Sequence, residues 1–234
     1  MNDIKSHKRV NDIFLAPLER PALQWLAAHM PAWVSPDILT GVGLIGAVVI
    51  FLGYCLTSFD KNFLLLASLG FVINWFGDSL DGTLARYRNT QRPRYGFFVD
   101  HTMDAFSEVL VFIGLGLSPY VHFGIACLAL IGYLLMSILV YVRTCVNGEF
   151  KISYSRIGPT EMRVIAISAN LLIYFIGNPM IKLPLLSITI YDFIVAIVAA
   201  LLVLVFMIST VRQANQLSKL ETLPEKLVVE GTNG

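Results

Sequence analysis

The chain has 234 residues, 56% of them apolar and 14% charged, with a mean hydropathy of +0.70, more apolar than a water-soluble domain of this size carries. A net charge of +1, from 17 Lys and Arg against 16 Asp and Glu, excludes the strongly basic face that would hold nucleic acid through its phosphates. Cys55, Cys127 and Cys145 are far apart and form no CxxC pair, which excludes a disulfide framework or a zinc site and leaves them as buried, inert thiols.

Residues 1–35 form an N-terminal arm in which Val10, Ile13, Phe14, Leu18, Leu23, Trp25 and Leu26 are interleaved with Lys8, Arg9, Asp12, Glu19 and Arg20. This pattern suits a helical arm lying in the headgroup layer. Pro17 and Pro21 argue against one continuous helix, and an irregular arm is the plainer alternative. A basic start followed by an apolar core is lacking, so no cleavable signal peptide is expected.

A hydrocarbon core about 30 Å thick needs about 20 apolar residues in a helix. Six runs qualify, at 37–58, 62–85, 97–118, 123–146, 160–179 and 189–211. The fifth is purely apolar only from Val164 to Gly177 and must borrow Thr160–Arg163 to cross. All ten prolines lie outside the span interiors, as helix punctuation requires. Residues 36–212 are therefore expected to be a six-helix transmembrane domain of an all-α polytopic protein. The polar remainder, 213–234, is expected to run from the last helix into disorder. Fifteen of the 17 Lys and Arg fall in the arm, the second and fourth connections and the tail. The positive-inside rule then places both termini in the cytoplasm of an inner, cytoplasmic membrane.

Four of the nine aspartates crowd into 27 residues: Asp78 and Asp81 close the second span, and Asp100 and Asp104 open the third. Such groups are expensive inside a bilayer, by at least about 2.5–3.5 kcal/mol each, so their positions point to function. Positions 78, 81, 82, 85 and 86 share one helix face, and Asp100, Asp104 and Glu108 share another. A short loop joins the two helix ends at the cytoplasmic side, which lets the acidic faces converge. Four carboxylates at close quarters repel unless cations sit between them, and one or two hard divalent ions, Mg²⁺ or Mn²⁺, answer that need. Gly82 and Ala85 leave room for a bulky group at the backbone, and Arg86 can grip phosphate oxygens. A polar site among lipid-facing helices suits a substrate with a nucleotide diphosphate head and a greasy tail, and the chemistry is read as phosphoryl transfer.

These residues resemble the signature of the CDP-alcohol phosphotransferase (CDP-alcohol phosphatidyltransferase) family, D-x2-D-G-x2-A-R followed by G-x3-D-x3-D. Here it stands as Asp78, Asp81, Gly82, Ala85, Arg86, Gly96, Asp100 and Asp104, with a nine-residue gap between Arg86 and Gly96 that departs slightly from the family's usual length. The resemblance implies a membrane enzyme of phospholipid biosynthesis that moves a phosphatidyl group from CDP-diacylglycerol to a polar alcohol and releases CMP. It further implies that Asp78, Asp81 and Asp100 hold the metals. Asp104 would complete the site and act as general base on the acceptor hydroxyl. Asp81, Gly82, Ala85 and Arg86 would cradle the CDP moiety, Gly96 would allow close helix approach, and the protein would be a homodimer. The reversed arrangement, CDP-choline or CDP-ethanolamine with diacylglycerol as acceptor, is the alternative within the family.

Other candidates carry a plainer reading beside the functional one. Asp37, after Ser35-Pro36, is a helix start or a nucleotide contact. Arg156 and Arg163 flank a stretch, Gly158-Pro159-Thr160-Glu161, that opens the fifth span. They are candidate contacts for an acceptor or its phosphate, or merely a positive-inside loop in which Thr160 caps the helix. With Arg143 and Lys151 they hint at an anionic acceptor. Arg88, Arg92 and Arg94 need no more than headgroup attraction. His101, directly after Asp100, is read as pointing off the acidic face in a structural or supporting role rather than as a ligand, Glu108 as bonding a neighbouring helix or binding substrate, and Asp192 as a cap. A transporter would spread its acids through midplane helices. An intramembrane prenyltransferase, which Asn74 ahead of Asp78 faintly suggests, would carry its aspartates on separated helices. A non-catalytic scaffold is disfavoured by the intact carboxylates.

Overall fold

A computed structural model describes residues 14–147, 158–182 and 187–220. It contains α1 (Ala16–His29), α2 (Pro36–Leu56), α3 (Phe63–Tyr87), α4 (Pro93–Leu117), α5 (Phe123–Asn147), α6 (Pro159–Ile176), β1 (Met180–Lys182), β2 (Ser187–Thr189) and α7 (Ile190–Leu220). Five of these helices, α2, α3, α5, α6 and α7, are long and apolar enough to cross a membrane. The 25 residues of α4 match α3 in length, but Asp100, Asp104 and Glu108 lower its hydropathy. The protein is an all-α polytopic membrane protein.

The long helices follow the six apolar runs, with shifts at their ends. Helix α6 stops at Ile176, before the expected 179, because Gly177 adopts a positive φ of 86° that ends a helix. Helix α7 runs on to Leu220, past the expected end at 211. Between α6 and α7 lies a feature the sequence reading lacks, an antiparallel pair of short strands in which Met180 faces Thr189. Residues 1–13, 148–157, 183–186 and 221–234 lie outside the described residues, and the start of the arm, Lys151, Arg156 and most of the polar tail with them.

Helices α2 and α3 form the tightest pair. A Cβ added at Gly77 would fall on the Gly43 backbone nitrogen, and one added at Gly46 on the backbone of Asn74. Small residues let membrane helices approach this closely and gain dispersion contacts. Helix α4 packs on the far side of α2, α5 on α4, α7 on α5, and α6 on α3. The order in space is thus α6, α3, α2, α4, α5, α7, and the row curls so that its two ends face one another across a cavity.

The arm contains a continuous 14-residue helix, contrary to the expectation that its prolines interrupt it. Pro17 lies in the first turn, where its missing N–H costs nothing, and Pro21 removes one further bond that tertiary contacts outweigh. Leu23 and Ala27 of α1 are buried with Val34, Leu39, Leu80 and Leu84. Leu18 and Trp25 remain exposed, an outward face suited to the headgroup layer. The cysteines form no disulfide, but Cys145 is exposed and the other two only half-buried, so the expectation of three buried thiols fails.

Candidate active site

The cavity encloses about 850 Å³ at the end of the bundle where α3 finishes and α4 begins. Asp78, Asp81, Asp100 and Asp104 all line it, with Gly82 and Arg86 beside them. Residues 78, 81, 82 and 86 follow the 3-4 stagger of one helix face, and tight packing on α2 aims that face. The Thr40 hydroxyl of α2 donates to Asp81 Oδ2 at 2.6 Å. Oδ1 of Asp81 accepts from the Gly82 N–H. Gly82 opens onto the cavity, for an added Cβ would meet only the Arg86 guanidinium, at 3.4 Å.

On α4, Asp100, His101 and Asp104 bring one ligand atom each to within 4.8 Å of one another. His101 does not point off the acidic face as expected. Its offset of three from Asp104 places it on that residue's side of the helix, with Nδ1 3.8 Å from Asp100 and 3.9 Å from Asp104. Its ring is held edge-on by Phe97 and leans on Tyr141. The donor set of two carboxylates and one imidazole fits a divalent cation, and Asp78 and Asp81 of α3 line the same cavity.

Arg163 of α6, the helix packed on α3, reaches the site beside Asp78. Its Nη2 donates to Asp78 Oδ2 at 2.5 Å and its Nε to Asn74 Oδ1 at 2.8 Å, while Asn74 Nδ2 donates to the Gly43 carbonyl at 2.9 Å. One network thereby joins α2, α3 and α6. Glu108 lies deeper in the cavity, bonded to Tyr133 of α5 as the neighbouring-helix reading expects, with Oε2 buried and unpartnered. Beyond it the wall is apolar, built from Phe112 and from Val198, Leu201, Leu202 and Val205 of α7.

Two residues of the motif stand apart from the cavity lining. Ala85 is half-buried at the back of the face. At Gly96 an added Cβ would find nothing within 4 Å among the described residues. Close helix approach at Gly96 is therefore corrected to open space at the first turn of α4.

The arm contributes to the site in a way the sequence did not signal. Ala16, Glu19, Arg20, Leu23 and Gln24 of α1 line the cavity mouth. Glu19 Oε1 accepts from Trp75 Nε1 at 2.8 Å and from Thr160 Oγ1 at 2.7 Å, tying α1 to α3 and α6. Thr160 is thus not the cap of its helix. That task falls to Glu161, whose Oε2 accepts from the Gly158 N–H while Oε1 accepts from the Leu15 N–H.

The cationic connection is also structural. Arg88 donates to the carbonyls of Val34, Met30 and Pro31 at 2.5–2.9 Å, fixing the turn between α1 and α2, so headgroup attraction does not account for it. Arg92 pairs with Asp37, which engages Asp37 with the α3–α4 connection, and its guanidinium pKa is raised by that partner. At the other end of the bundle the Asp192 cap accepts from the Thr189 N–H at 3.0 Å and also from His122.

Comparison with known proteins finds the family described as CDP-alcohol phosphatidyltransferase matching residues 33–208. Cholinephosphotransferase 1 of Danio rerio is 29% identical over 181 residues, 72% of this chain and 46% of the relative. Phosphatidylinositol phosphate synthase of Cutibacterium acnes is 34% identical over 90 residues, 38% of this chain and 41% of that protein. An uncharacterized protein of Aquifex aeolicus is 32% identical over 123 residues, 53% and 54% of the two chains. The matched segment thus spans about half or less of each relative's length.

Proposed function

The chain belongs to the CDP-alcohol phosphatidyltransferase family, and from that premise we propose that it transfers a phosphatidyl group from CDP-diacylglycerol to a polar alcohol, releasing CMP, in phospholipid biosynthesis. The observation that supports this reading is that Asp78 and Asp81 of α3 and Asp100 and Asp104 of α4 line one cavity together with an apolar stripe of α7. A lipid linked to a nucleoside diphosphate needs both surfaces at once.

In this reading Asp78, Asp81, Asp100 and Asp104 hold Mg²⁺ or Mn²⁺, which supplies Lewis-acid stabilisation of the diphosphate charge. Asp81, Gly82, Ala85 and Arg86 receive the CDP moiety, Gly96 leaves open space at the mouth, and Arg156 and Arg163 are candidates for an anionic acceptor. Asp104 takes the proton of the acceptor hydroxyl. The freed oxygen forms a bond to the lipid-bearing phosphorus as the bond from that phosphorus to the bridging oxygen breaks and CMP departs. The site faces the cytoplasm of an inner membrane, with both termini on that side, and the enzyme works as a homodimer, as the family resemblance implies.

A second reading keeps the site and exchanges the greasy partner, with CDP-choline or CDP-ethanolamine as donor and diacylglycerol as acceptor. The cholinephosphotransferase relatives favour it, since their likeness covers more of this chain than that of the phosphatidylinositol phosphate synthase. CMP release by the purified protein with Mn²⁺ decides between them. Acceptor-dependent release from CDP-diacylglycerol supports the first reading. Release only from CDP-choline or CDP-ethanolamine with diacylglycerol supports the second, and no release from any donor overturns both. The mass of the protein in detergent micelles tests the homodimer.

A further inference from the structure

We propose that Arg163 stands in for the metal at Asp78, pairing with that carboxylate in the absence of a divalent cation and giving it up when one enters the cluster. The inference rests on the metal-dependent reading above. It goes beyond that reading by making metal entry and the position of one arginine two sides of a single exchange.

The geometry distinguishes Asp78 from its neighbour on α3. Neutral donors hold Asp81, the Thr40 hydroxyl and the Gly82 N–H. A full positive charge holds Asp78, with Arg163 Nη2 2.5 Å from Oδ2 and the arginine side chain only 13% exposed. A guanidinium at that distance and a divalent ion on the same carboxylate repel one another, and a site shielded from water screens that repulsion weakly. The arginine thus lowers the repulsion among the acids without metal and competes with metal for one of them.

A second observation concerns the other end of the same guanidinium. Arg163 Nη1 is buried and makes no hydrogen bond to any of the described residues. A buried donor without an acceptor is uncommon in a settled structure, and Arg163 lines the cavity. The pose against Asp78 satisfies Nε and Nη2 and leaves Nη1 waiting. A pose turned from Asp78 toward an anionic oxygen brought into the cavity would satisfy it, so the exchange also readies a cation for the substrate's phosphate.

A fixed orienting role gives the opposite prediction, because an arginine that only steers Asp78 toward the metal would strengthen metal binding. Titration of the full-length, detergent-solubilised protein with Mn²⁺, followed by the electron paramagnetic resonance signal of the free ion, separates the two. Arg163→Gln should bind Mn²⁺ about tenfold more tightly than wild type, equivalent to about 1.4 kcal/mol. Its melting temperature should be lower in chelator and rise further on Mn²⁺ addition. Unchanged or weaker Mn²⁺ binding by Arg163→Gln overturns the proposal. Should that variant fail to fold without metal, Arg163→Lys retains the charge but cannot span Asn74 and Asp78 with one planar fork, so it should yield Asp78 more readily and bind Mn²⁺ more tightly than wild type, by less than the tenfold expected where the charge is removed. Unchanged or weaker binding there overturns the proposal equally. Asp100→Asn marks the site: if wild type binds no Mn²⁺, or binds it no better than this variant, the metal-dependent reading fails and takes the exchange with it.

Discussion

Asp104 and His101 show how far the chemistry of single residues can be read from spacing. Asp104 shares the cavity wall with the other three motif aspartates, and a carboxylate that accepts the acceptor's proton should be irreplaceable by an amide of the same shape. Asp104→Asn should lower CMP release at least about 100-fold with little change in melting temperature, and near-normal turnover would remove Asp104 as the base. Adjacency to Asp100 hides the place of His101, whose offset of three from Asp104 sets its side of the helix. With Nδ1 near both carboxylates, His101→Ala should weaken Mn²⁺ binding about tenfold, measured by the same titration. The acids themselves were legible because a charged residue in an apolar run stands out. The pairing of Arg163 with Asp78, 85 positions away, had no local signal, since the same arginine also satisfied the sidedness rule.

At the scale of elements, all six expected runs are helices, five of them long and apolar enough to span by themselves, and the structure moves mainly their ends. What composition did not reveal was how closely α2 and α3 approach. Gly77→Ala places a methyl on the Gly43 nitrogen and the Leu39 carbonyl, and overpacking of this kind costs about 1–3 kcal/mol. Its melting temperature in detergent should fall clearly, while Gly41→Ala, which meets nothing within 4 Å, should be nearly neutral. The arm was the other surprise. Prolines suggested a broken segment, yet Glu19 of α1 satisfies both Trp75 and Thr160, a pairing between distant elements that no periodicity encodes. Glu19→Ala strands these two donors at about 1–3 kcal/mol, and it should loosen α1 over the cavity mouth. Faster proteolysis near residue 20 at unchanged secondary structure would show this.

For the whole molecule, sidedness decides whether the proposed chemistry can work, because a cytoplasmic nucleotide-linked donor would have to reach the acids. The helices alternate in direction, so the start of α2, the end of α3 and the starts of α4 and α6 share one side of the membrane with the cavity mouth. Fifteen of the 17 basic residues lie in the segments of that side, and the positive-inside rule would make it the cytoplasmic one. With the native cysteines replaced, Gln91→Cys, in the exposed α3–α4 connection, should resist a membrane-impermeant thiol reagent in intact cells and react once the cells are opened. Ser58→Cys, exposed after α2 at the opposite end, should react in intact cells. The reverse pattern would put the acid cluster outside, away from any pool of cytidine nucleotide. No choice of donor or acceptor could then rescue the proposed transfer.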